Sequence, residues 1–177
     1  MSPAPTTPAP VPPAPAPVVR LARATDAEPL VRCHLACWQE TYTGLVPQQA
    51  LEEALAARGE RTERWRGILR DAAGTFVAEH EGEVVGFASV GPAPEEDLGD
   101  LPRVHALYVL RAQWGTGLGH RLLQASLGDQ PASLWVLAAN ARARRFYAAH
   151  GFEPDGQERV NADFDRLEIR MLRVREP

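Results

Sequence analysis

Between Trp114 and Gly119 the chain reads W-G-T-G-L-G, with a β-rich run from Val104 to Leu110 before it. Behind it Leu118, Leu122, Leu123 and Leu127 recur at helical spacing, so the local order is strand, glycine turn, helix. Such a turn lets backbone N–H groups point at an anion, because glycine permits close approach to phosphate oxygens and the helix N-terminus adds a favourable dipole. A pyrophosphate-bearing ligand fits this arrangement; a tight turn made only for packing fits it as well. The dinucleotide fingerprint G-x-G-x-x-G does not match the spacing of Gly115, Gly117 and Gly119, and no acidic residue ends a following strand at the required distance.

The rest of the chain alternates in period. Residues 1–17 hold 8 of the 16 prolines and no charge, which predicts a disordered Pro/Ala tail ahead of one domain over residues 18–177. A short strand over Val18 to Ala22 is followed by Asp26 as a helix N-cap, and Leu30, Cys33, His34, Cys37 and Trp38 mark the buried face of that helix. Two further helical stretches follow, from Gln48 to Arg58 and around Trp65, Ile68 and Leu69. Thr75 to His80 and Val84 to Val90 then read as strands joined by the Glu81-Gly82 turn. Beyond the glycine cluster come a strand over Ser133 to Leu137, a helix from Asn140 to His150 stopped by Gly151, and strands near Gly156 to Val160 and Leu167 to Val174. The order is α+β.

Composition removes several functions. All 19 basic residues are arginine, which excludes a Walker A loop, a pyridoxal Schiff base and a kinase-type phosphate lysine. A net charge of −4 argues against a nucleic-acid partner. No apolar run reaches the ~18 residues of a membrane span, and no secretory signal is recognisable, which predicts a cytoplasmic protein without a membrane partner. Cys33 and Cys37, with His34 between them, offer three ligands at most where zinc needs four, so they read as buried thiols and no metal is expected.

The segment N-A-R-A-R-R-F-Y-A-A-H-G-F, Asn140 to Phe152, together with L-Y-V at Leu107 to Val109 and the glycine turn, closely resembles the GNAT superfamily of acetyl-CoA-dependent N-acetyltransferases. The family helix pattern N-x-x-A-x-x-F-Y-x-x-x-G-F is matched at every fixed position. The family turn is Q/R-x-x-G-x-G/A, and here Trp114 replaces its Gln or Arg. The opening V-R-L-A-R-A-T-D and the segment from Trp38 to Pro47 extend the resemblance to about Val174. It implies the GNAT fold, a mixed central sheet of about six to seven strands splayed between two parallel central strands, flanked by about four helices.

By that resemblance, acetyl-CoA is the co-substrate and a small-molecule or peptide amine is the acceptor, acetylated by direct attack on the thioester. Trp114, Gly115, Thr116, Gly117, Leu118, Gly119 and His120 would hold the pyrophosphate. Leu107, Tyr108 and Val109 would polarise the carbonyl through main-chain N–H groups, and Asn140 would bond the pantetheine arm. Tyr147 would protonate the leaving thiolate, with Phe146 packed beside it in the core. Arg142, Arg144 and Arg145 are candidates for the 3′-phosphate or for an exposed helix face. Arg103 stands where many members carry Glu or His. His105, two residues further on and on the same strand face, is the first candidate base, with Glu79, Glu40 and ordered water in reserve. Trp38, Tyr42 and Glu40 would line the acceptor pocket, and a homodimer is common among proteins of this look. The competing reading is a non-catalytic acyl-CoA-binding module of the same fold with a sensing or partner-control role.

Overall fold

The computed structural model describes residues 15–71 and 74–174, so residues 1–14 of the expected tail lie outside the described residues. Pro17 is buried, and its carbonyl accepts a hydrogen bond from Arg121 at 2.8 Å, so the chain is already docked there.

Strand β1 (Val18–Leu21) leads through a 3-10 turn into three helices, α1 (Ala27–Tyr42), α2 (Gln48–Ala56) and α3 (Arg58–Asp71). Strands β2 (Thr75–His80), β3 (Glu83–Pro92) and β4 (Pro102–Val109) follow. The chain then runs through α4 (Leu118–Leu127), β5 (Ala132–Leu137), α5 (Ala141–Ala148), β6 (Glu153–Asn161) and β7 (Arg166–Arg173). The count is seven strands and five α-helices among the described residues, one helix more than the sequence resemblance implied. The β2–β3 hairpin turns at Glu81 and Gly82, both with positive φ, the conformation of a two-residue turn that follows strand twist.

One difference at the start of α1 has a clear cause. Asp26 makes no N-cap hydrogen bond to the helix; its carboxylate takes Arg20 at 2.7 and 2.9 Å and the Arg23 N–H at 2.7 Å. An arginine fork binding a carboxylate outcompetes a single capping bond.

The sheet order is β1-β2-β3-β4-β5-β7-β6, antiparallel throughout except at β4–β5. Leu30, Val31, Trp65 and Leu69 of α1 and α3 cover one face together with Val77 and Phe87. Leu118 and Leu122 of α4 cover the opposite face over Ala78, Val85 and Ala88. Burying a side chain such as Phe87 contributes roughly 1.5 to 3 kcal/mol, which fixes the helices and so fixes what they present. Gly86 lets α4 come close: a Cβ there would lie 2.9 Å from the Tyr108 carbonyl and 3.1 Å from Leu122.

Candidate active site

Strands β4 and β5 pair in parallel only at Arg103 with Ser133 and Val104 with Leu134. Beyond these two pairs they diverge, and a cleft of about 1020 Å³ opens between them, lined by Ala106 to Val109 on one side and Val136 and Leu137 on the other. Main-chain groups of β4 on that side have no strand to pair with, so they face the cleft.

At the C-terminal end of β4 the chain enters the glycine turn. Gly115 and Gly117 have φ of +77° and +81°, and a Cβ at either would meet nothing within 4 Å, so both strain and open space set these positions apart. The N–H groups of Gly117, Leu118, Gly119 and His120 find no acceptor among the described residues. N–H groups pointing out from a helix start are a geometry that suits an anion. Gly119 has another role: a Cβ there would press to 3.2 Å on Phe146, so this glycine allows α5 to pack. Thr116 uses its hydroxyl on the Gln113 carbonyl, and Trp114 donates to the Val109 carbonyl at 2.8 Å, locking the turn to the strand. The Arg142 guanidinium lies 3.4 Å over the Trp114 ring, which brings a cation to the place where Trp114 lacks one. Arg144 is spent on the Ala138 carbonyl. His120 and His150 meet at 3.0 Å between ring nitrogens.

Asn140 caps α5 by accepting the Ala143 N–H at 3.0 Å, leaving its amide NH₂ free on the cleft wall. Two turns on, Tyr147 is buried against Phe152 and lines the same cleft, and its hydroxyl has no partner among the described residues. Burial, and secondarily Tyr108, push its phenol above the ordinary value, so at neutral pH it holds its proton.

His105 departs from simple alternation. Val90 pairs with Val104 and Ser89 with Ala106, which leaves His105 as the extra residue of a β-bulge, so it does not share a face with Arg103 by strand period. Its ring opens on the cleft, and Nε2 donates to the Pro92 carbonyl at 3.1 Å, the only role open to a nitrogen facing a carbonyl. Nδ1 therefore keeps the lone pair. Loss of solvent around the ring and the Arg103 charge hold its pKa below the usual value. Arg103 is buried and ion-paired with Glu95, which also accepts from Trp135 Nε1 at 2.8 Å.

The two reserve carboxylates lie elsewhere. Glu79 is bound by Arg20 on the β1–β2 side at 2.7 Å. Glu40 accepts the Arg111 N–H at 2.7 Å and borders only a smaller pocket of about 350 Å³. Neither shares the cleft with His105.

A sequence model of the acetyltransferase (GNAT) domain matches residues 71–154. An uncharacterized N-acetyltransferase of Bacillus subtilis, YuaI, is 30% identical over 165 residues, covering 89% of this chain and 88% of that one. The chain belongs to the GNAT superfamily. An uncharacterized N-acetyltransferase of Archaeoglobus fulgidus is similar at 31% identity, covering 74% of this chain and 89% of that protein. The GNAT fold is seen again in the PaiA N-acetyltransferase of Thermoplasma acidophilum solved in complex with coenzyme A, with a TM-score of 0.70 at 16% identity, over 88% of this chain and 98% of that one.

The GNAT cleft also contains residues that sequence reasoning passed over. Trp38 and Tyr42 line it as expected, with the Tyr42 and Tyr108 hydroxyls 3.1 Å apart. Arg61, Arg64, Arg159, Asp163, Phe164 and Glu168 join them. The apolar positions of α3 were legible, but nothing in R-T-E-R-W says which arginine turns toward a cavity. His34 is walled by Trp38, Trp65, Phe87 and Tyr108, with both ring nitrogens unpartnered. Burial, then the Arg61 charge, holds its pKa down to about 3, so it is neutral. Cys33 and Cys37 are buried free thiols 4.0 Å apart.

Proposed function

We propose that this GNAT protein is an acetyl-CoA-dependent N-acetyltransferase that acetylates a primary amine. The observation that carries the reading is the coincidence of the β4–β5 gap, the four free N–H groups at the start of α4 and the Tyr147 hydroxyl on one cleft. These residues fit coenzyme A: the open space before Gly115 and Gly117 admits a pyrophosphate, and the gap admits an extended arm. Bound there, acetyl-CoA supplies an acyl group activated as a thioester.

The chain's own groups have separable tasks. N–H groups from Gly117 to His120 hold the pyrophosphate, with Arg142 adding charge, and the free amide of Asn140 donates to the arm. Main-chain N–H groups of Leu107 and Val109, on either side of Tyr108, donate to the carbonyl oxygen, where negative charge grows as the amine attacks. His105 Nδ1 takes a proton from the ammonium, directly or through one water. Tyr147, still protonated because it is buried, gives its proton to the departing thiolate. Trp38 and Tyr42 bound the acceptor.

Release of free thiol from acetyl-CoA against a panel of primary amines tests this. Turnover with at least one amine is expected. Tight acetyl-CoA binding with no amine acetylated would replace the enzyme by an acyl-CoA-binding module.

A further inference from the structure

The acceptor side of the cleft is lined by arginine. Arg61 and Arg64 lie one turn apart on α3, and both reach the cleft. Arg61 is held in place: its Nε donates to the Ala54 carbonyl at 3.2 Å, and its guanidinium stacks 4.2 Å over Trp38. The carboxylate nearest to it, Asp163, is 3.5 Å away and half exposed. Arg64 makes no ion pair or hydrogen bond among the described residues. Glu168, the other carboxylate on this wall, is already engaged by Arg159 at 2.7 Å and Asn161 at 2.9 Å.

Like charges one turn apart on a helix repel, a penalty that a bound anion would reverse. Beside Arg61, the two ring nitrogens of His34 and the indole N–H of Trp38 are buried without partners. The His34 ring is enclosed by four aromatic rings, so the groups on this wall that are open to a ligand are the two arginines.

We infer that the acceptor carries an anionic group, a carboxylate or a phosphate, beside its amine, and that Arg64 and Arg61 hold that group while the amine faces His105. The inference rests on the acetyltransferase reading for the role of the amine alone. Arginine forks match carboxylate and phosphate oxygens in pairs, whereas a polyamine would set cation against cation.

The test is titration calorimetry of L-amino acids, their amides, O-phosphoethanolamine, ethanolamine and spermidine into the protein, free and saturated with CoA. At least one anionic amine should bind ten-fold or more tightly than its uncharged counterpart. The amino acid and phosphoethanolamine arms identify which anion is preferred. Arg64→Met should remove the preference and Arg64→Glu should invert it; both residues suit an exposed helix position, and an unchanged melting curve verifies the fold. Equal or tighter binding of spermidine or of the amides, no binding of any anionic amine, or a preference untouched by Arg64→Glu would overturn the inference. An anionic amine that binds through Arg64 but releases no thiol from acetyl-CoA keeps this inference and removes the acetyltransferase reading. Amides acetylated in preference to acids do the reverse.

Discussion

A phenol and an imidazole on one cleft are separable by substitution. Tyr147→Phe keeps the ring against Phe152 and removes one hydroxyl, so turnover should fall roughly 10²- to 10⁴-fold with acetyl-CoA affinity little changed. His105→Gln should abolish the acidic limb of the turnover profile. That limb falls below pH 6.5, because loss of solvent and Arg103 depress the folded pKa beneath the unfolded value near 6.5, and the proton must come off Nδ1 before the base can act. The same sign governs stability: the unfolded chain takes up the proton first, so this contribution starts to fall below pH 6.5 and is lost as pH falls through the lower folded pKa. Turnover and melting temperature measured from pH 5 to 9 check both, and a His105→Gln enzyme that kept the limb would leave water as the base. At this scale Tyr147, Asn140 and the glycines were legible because each sits in a fixed spacing. Arg64, Glu95 and His34 were not, since their importance comes from partners, or missing partners, brought together by folding.

Elements were more readable than contacts. Thr75–His80 is a strand with the bounds its composition suggested, and the helix from Leu118 carries the expected buried leucines. What strand composition could not reveal was the bulge at His105, because an extra residue in a ladder is defined by the partner strand. It likewise could not reveal that β4 and β5 share only two pairs. The start of α4 gives a test of its own. Gly117→Val imposes a β-branched side chain on φ +81° and fills the space before the free N–H groups. Acetyl-CoA affinity should drop at least ten-fold by calorimetry while the domain stays folded, since a Cβ there touches nothing else in the protein. Wild-type affinity in this variant would move the pyrophosphate elsewhere.

Over the whole molecule, a chain without lysine uses arginine for every cationic clasp. Arg170 bonds Asp97 at 2.6 and 3.0 Å and Asp155 at 2.6 Å, while Trp135 and Arg103 both hold Glu95, so the segment before β4 is tied to β5, β6 and β7 near the closed end of the cleft. The sheet is thus a clip: a clasp and two ladder pairs at one end, two free jaws at the other. Amide hydrogen exchange should show this directly. The half made of β5, β7 and β6 should open as a cooperative unit at lower free energy than β2, β3 and β4. Added CoA should slow exchange in both halves together, because an arm lying in the gap bonds to each jaw. Protection confined to the glycine turn would mean that the jaws do not share the ligand. If both halves respond, what is called affinity in this protein is partly the work of fastening its two half-sheets, and a substitution in the clasp, far from the thioester, would be felt as weaker binding of coenzyme A.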